Sequence, residues 1–168
     1  MRKFNPLIHH RQSIRLPGYD YASAGSYFIT ICTHNRRHLF GHIDNNIMIL
    51  NDVGQIIEDQ WLALPTRFPN VHLGSFIIMP NHVHYILDIL EHQNKTMGDI
   101  TGAFKSLCTH HILKRQKTIN YDILFGKIWQ RNFWEHIIRS AAEWEMINHY
   151  IVNNPKNWDK DSLNESFL

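Results

Sequence analysis

The chain has 168 residues, of which 43% are hydrophobic and 19% charged, with 17 Lys+Arg set against 15 Asp+Glu. That length and composition predict one domain over 1–168 with a core of its own, and exclude a disordered or fibrous chain. The net charge of +2 excludes a uniformly cationic nucleic-acid coat, and the two cysteines, Cys32 and Cys108, exclude a disulfide framework and suit a reducing compartment.

No stretch approaches the ~20 apolar residues of a membrane span. Residues 1–20 form a basic arm broken by Pro6, His9, His10 and Arg11, without the apolar core of a secretory signal. The expectation is a cytoplasmic protein with no membrane partner. Tyr27 to Thr33 is β-branched and aromatic throughout and predicts a strand. A polar loop, His34 to His38, leads to a short hairpin over 39–50 that turns at Asp44-Asn45-Asn46. Asp52 and Gln55 have the spacing of a capping box, opening a helix with Val53, Ile56, Ile57, Trp61 and Leu64 on one face and an end at Pro65. Residues 71–79 and 82–90 predict two strands joined across Pro80-Asn81. Thr96 and Asp99 cap a second helix whose buried face carries Met97, Ile100, Phe104, Leu107 and Cys108. Residues 121–138 predict a loop and an edge strand. Ser140 and Glu143 cap a last helix that Pro155 stops, and 159–168 is a tail.

The element order is strand, helix, strand, strand, helix, strand, helix. Two strand–helix–strand units in series predict an α+β fold of the ferredoxin-like, split βαβ plan, with an antiparallel central sheet and one extra C-terminal helix. That plan hosts many functions, so function has to come from a site.

Three groups of residues could supply one. His82 and His84 flank Val83 on a strand, so both imidazoles leave the same face and could chelate one cation; the triplet fits two surface histidines on a half-exposed strand as well. On the last helix, Trp144, Ile147 and Ile151 form the core stripe, and Tyr150 and Asn154 share a face at its margin. A phenol there can act as a nucleophile and an amide oxygen can bind metal. The same pair fits packing and a helix stop, and Pro155 works against helical geometry at Asn154. Between Trp129 and Arg139, aromatics alternate with charged residues, which suits stacking on unpaired bases and contact with phosphate, and suits the edge of a core equally.

Taken in order, Met79-Pro80-Asn81-His82-Val83-His84, Ala103-Phe104-Lys105-Ser106, Trp129-Gln130, Phe133 to Arg139 and Tyr150-Ile151-x-x-Asn154-Pro155 resemble the REP-associated tyrosine transposases. These are bacterial relatives of the single-tyrosine HUH transposases, and the resemblance spans residues 20–158. It implies that His82, His84 and Asn154 bind a divalent metal ion, Mg²⁺ or Mn²⁺, and that Tyr150, on the extra helix, is the nucleophile. It implies a single-stranded DNA endonuclease and strand-transferase working through a 5′-phosphotyrosine on hairpin-bearing or palindromic DNA, in the bacterial cytoplasm and at the nucleoid. DNA contacts are expected from Arg36, Arg37, Lys105 and Arg139 in a local basic groove, and from Trp129, Phe133 and His136. Monomer and homodimer both stay open. The competing expectation from another class is a non-catalytic single-stranded nucleic-acid binding module on the same sheet plan.

Overall fold

A computed structural model describes residues 15–119 and 127–164. Alternation of side chains sets the sheet. In β1 (Gly25–Cys32), Tyr27, Ile29 and Ile31 are fully buried on one face, while Phe28 and Thr30 are buried on the other. A strand enclosed on both sides belongs in the middle of a sheet, and β1 lies between β5 (His82–Ile89) and β6 (Trp134–Ile138). The hairpin of β4 (Val71–Met79) with β5 turns over Pro80-Asn81, with Met79 opposite His82. The sheet order is β4-β5-β1-β6 with every neighbour antiparallel. The predicted ferredoxin-like plan is the observed one.

One face of the sheet carries the larger core. Helices α1 (Asp52–Leu62) and α3 (Met97–Ile119) cover Tyr27, Ile29, Ile31, Val83, Tyr85 and Leu87. Trp61 of α1 stacks on Phe76 at 4.8 Å and meets Tyr85 at 4.7 Å, and Met97, Ile100, Phe104, Cys108 and Ile112 make the buried stripe of α3. Both cysteines are free thiols. The second face is covered only in part. There Ile147 and Ile151 of α4 (Ala141–Asn153) pack with Trp144 on Phe28, Ile86 and Ile138, and Ser75 of β4 bonds to Asn148 of α4. Beyond this patch the same face holds Thr30, His82 and His84, all buried, with the Trp158 ring 6.0 Å from that of His82.

Local chemistry accounts for the departures from expectation. Asn51, not Asp52, caps α1: its Oδ1 accepts from Val53 and Gly54 N–H at 3.0 Å, a geometry open only to the residue before the first turn. Pro65 does not end the helical stretch but sits in the first turn of a short α2 (Leu64–Arg67), where its missing N–H costs nothing. The predicted hairpin is β2 (Gly41–Asp44) and β3 (Ile47–Leu50), a separate two-stranded sheet with both turn residues, Asn45 and Asn46, at positive φ, as a tight two-residue turn requires. The box at Thr96 and Asp99 closes in both directions, at 2.9 and 3.1 Å. Ser140 caps α4, and Glu143 reaches past it to the backbone N–H of Arg139 at 2.7 Å. The edge strand is confined to Trp134–Ile138; the earlier part of that stretch, 121–126, lies outside the described residues, as does most of the basic arm. Among the described residues, no helix is long and apolar enough to cross a membrane.

Candidate active site

Two imidazoles, a phenol, an amide and a carboxylate meet on the open half of the second face. His82 and His84 are buried, with 0% and 2% of their surfaces exposed, and their rings are 4.5 Å apart. This removes the reading of two surface histidines. Burial disfavours the imidazolium: it holds His84 down to about 3 and His82 well below the usual histidine range, where the His84 ring and the Arg36 and His38 charges add to the effect. Both rings are therefore neutral at physiological pH and offer a lone pair.

Neighbouring residues decide which nitrogen carries it. Asn81 Oδ1 lies 2.8 Å from Nδ1 of His82, so that nitrogen is the N–H and Nε2 is the lone pair. Asn81 is held in turn by bonds from its Nδ2 to the carbonyls of Arg36 (3.1 Å) and Leu163 (2.6 Å). Thr30 Oγ1 contacts Nδ1 of His84 at 2.8 Å, while the hydroxyl of Tyr150 approaches its Nε2 at 3.2 Å. Thr30 reaches His84 because the register of β1 on β5 sets the two residues directly opposite. Each imidazole is thus fixed at Nδ1 by a side chain that leaves Nε2 facing the site.

The helix delivers the remaining groups. Asn154 keeps φ −56° and ψ −43° despite the following proline, which instead opens the 3₁₀ segment Asn154–Lys160. Tyr150 and Asn154 therefore do share a face, and the expected disruption by Pro155 does not occur. Burial pushes the Tyr150 phenol up from its ordinary pKa and the nearby Asp161 charge pushes it further, opposed by a hydrogen bond with Asn154. The 3₁₀ segment then carries Asp161 back to the histidines. The ligand atoms of His82, His84 and Asp161 all lie within 4.8 Å of one another, with Asp161 Oδ2 at 3.8 Å from His82 Nε2.

Three buried atoms here have no hydrogen-bond partner: His82 Nε2, Asn154 Oδ1 and Asp161 Oδ2. A lone pair on nitrogen facing a carboxylate oxygen across 3.8 Å is too long for a hydrogen bond and gains nothing without something positive between them. Nitrogen and oxygen donors in this mix suit a divalent cation, so the residues present fit a metal. Beside them opens a cavity of about 530 Å³, lined by Phe28, Thr30, His84, Trp134, Tyr150 and Asp161 among others.

The residues expected to touch DNA lie at different distances from this point. Arg36 donates to the carbonyl of Ser162, next to Asp161, and Arg37 to the carbonyl of Lys127 at 3.0 Å. Lys105 donates to the carbonyls of Gln130 (2.8 Å) and Arg131 (3.1 Å), and burial lowers its pKa. The ring of Trp129 is buried against Phe40 at 5.3 Å with its N–H on the Lys105 carbonyl, so it sits in the core edge rather than on a surface platform. Phe133 is half-buried under the Arg15 guanidinium, 4.1 Å from its ring. His136 bonds to Glu143 at 2.6 Å, and Arg139 is exposed at the start of α4. Thr30 and Asp161 escaped the sequence reading. The first had a findable signal in the strand register; the second had none, standing in the tail outside every motif.

An antiparallel sheet of this order, with a buried histidine pair facing a tyrosine-bearing helix, is shared with a class of transposases, as comparison with known proteins shows. The profile of the IS200-like transposases matches residues 22–154, and the chain belongs to that family. It is 40% identical to an uncharacterized Haemophilus influenzae protein, over 96% of this chain and 97% of that one. It is 22% identical to the REP-associated tyrosine transposase of Escherichia coli K12, over 80% of this chain and 68% of that protein. The fold superimposes with a TM-score of 0.63 and 21% identity on a REP-associated tyrosine transposase solved bound to a REP hairpin, over 85% of this chain and 73% of that one.

Proposed function

We propose that this chain is a metal-dependent nicking and joining enzyme for single-stranded DNA, working through a 5′-phosphotyrosine at Tyr150. The observation that carries the reading is the meeting of the Tyr150 hydroxyl with His84 of a buried, neutral histidine pair, beside the unpartnered His82 Nε2, Asn154 Oδ1 and Asp161 Oδ2. A binding module without chemistry has no use for such atoms, which cost stability when left unpaired.

His82, His84, Asp161 and Asn154 would hold the cation, Mg²⁺ or Mn²⁺. When bound, the ion would draw charge from a non-bridging oxygen of the scissile phosphate. This chain supplies the rest. Tyr150 Oη forms a bond to phosphorus in line with the departing 3′-oxygen, the P–O3′ bond breaks, and the 3′-oxygen takes up a proton. The phenol proton passes to water in the open cavity. The phosphate ester keeps the energy of the broken bond, so a DNA 3′-hydroxyl can attack it later and free Tyr150, and no nucleotide cofactor is needed. Helix α4 holds the phenol in place before reaction, which saves entropy in the bond-forming step. Arg36, held on the Ser162 carbonyl beside Asp161, is suited to the DNA backbone, and hairpin-bearing single strands are the substrate class the reading favours.

Incubating the protein with a labelled hairpin carrying single-stranded flanks, with and without Mn²⁺, tests this. A labelled species that survives denaturation and travels with the protein, only when metal is present, is the expected result; its absence with every strand tried refutes the reading.

A further inference from the structure

We infer that Trp134 is the stacking platform for one unpaired nucleobase beside the scissile phosphate; the inference rests on the single-stranded DNA reading above. Trp134, Thr30 and His84 form one row across three strands, because Thr30 is opposite Trp134 on one side and His84 on the other. Cross-strand partners share a face, so the indole emerges on the side of the sheet where Tyr150 meets the histidines. Two strand spacings separate it from His84, roughly 10 Å, so a base stacked on it lies close to a phosphate held at the histidines.

The exposure of this residue sets it apart. Trp61, Trp129 and Trp158 are 3%, 7% and 8% exposed, whereas Trp134 is 49% exposed and lines the cavity with Tyr150. Its orientation is nonetheless fixed. Phe28 meets the indole edge-to-face at 5.4 Å, and His136 lies parallel to it at 6.0 Å, itself bonded to Glu143. The same Phe28 ring meets Tyr150 edge-to-face at 6.0 Å, so one phenylalanine spaces platform and nucleophile. A large apolar ring held rigid yet half open on a cavity has the properties that base stacking needs, and every base offers a face to it. A base seated there would fix the sugar and the phosphate next to it for attack.

The test compares wild-type protein, W134A and W134F on hairpins in Mn²⁺, with an abasic residue walked through the positions flanking the cut. Removing the base at one flanking position should slow wild-type adduct formation about ten-fold or more, the worth of one stacked base. W134A should show the same loss on the intact strand and no further loss with that abasic strand, and W134F should recover most of the rate. Equal melting curves separate this from a folding defect. Wild-type rates in W134A, or losses that multiply at every position, would overturn the inference. If wild-type protein gives no adduct at all, the nicking reading fails and the platform is judged by binding. Tryptophan fluorescence quenched by single-stranded DNA in wild type and not in W134A supports it, and equal quenching in both overturns it.

Discussion

The hydroxyl of Tyr150 stands 3.2 Å from Nε2 of His84, joining the last long helix to a central strand 66 positions earlier. Neither residue is special in composition. Burial keeps the imidazole neutral while the helix holds the phenol against it.

Metal binding should stabilise the folded chain. A cation bound by the native state alone adds about 2.7 kcal/mol at one hundred times its dissociation constant, a rise in melting temperature of roughly 5–10 °C for a domain of this size. Differential scanning fluorimetry with Mn²⁺ should show this rise in wild type. D161N keeps the side-chain oxygen that accepts from Leu163 N–H but loses the carboxylate charge, and should need at least ten-fold more Mn²⁺ for the same shift. An unchanged titration would remove Asp161 from the ligand set.

Thr30 acts through His84. T30V keeps the β-branched shape of the strand and removes the hydroxyl on Nδ1, so the ring loses the contact that fixes its tautomer. Mn²⁺ affinity measured by calorimetry should fall ~10–100-fold, the usual cost of losing such a partner, and T30S should restore it. Equal affinity in T30V would show that packing alone orients His84.

Much of this was readable in advance, and the gaps have causes. The shared face of His82 and His84, that of Tyr150 and Asn154, and the βαβ order follow from periods of two and 3.6 residues, which are local; that the two faces belong to one site followed only from the resemblance to a family. Thr30 looked like one more β-branched strand residue, and only the register of β1 on β5 sets it against His84. Asp161 reaches the site through the 3₁₀ segment Asn154–Lys160, a tertiary return without a local pattern. Trp129 was expected to contact DNA, but its pairing with Thr33 across an isolated bridge draws it inward against Phe40. Trp134, five residues on along an edge strand, kept the exposed role instead.

Acid should destabilise the metal-free protein. His84 titrates near 3 in the folded chain and near ~6.5 when unfolded, so the unfolded state binds more protons between these values. The contribution of neutral His84 to stability is complete above ~6.5 and is lost as pH falls toward 3. Melting temperatures recorded from pH 7 to pH 4 should decline more steeply in wild type than in H84Q. Parallel curves would mean that the ring is not held neutral by the fold.

Ile151 seats the helix that carries Tyr150. It is fully buried against Phe28 and Ile86, in the core stripe whose margin Tyr150 occupies. I151A should cost about 2–5 kcal/mol in urea unfolding, as large-to-small changes in packed cores do. Adduct formation should fall along with it at temperatures where the protein is still folded. Full activity in a destabilised I151A would show that α4 is positioned by its other contacts.

The identity of the nucleophile is the claim on which the rest depends. Digesting the denaturation-resistant species and sequencing the modified peptide by mass spectrometry reads it directly. The account predicts a nucleotide phosphate on Tyr150 alone, absent from Y150F, which still binds the hairpin. A phosphate on any other residue, or adduct formation undiminished in Y150F, would contradict it.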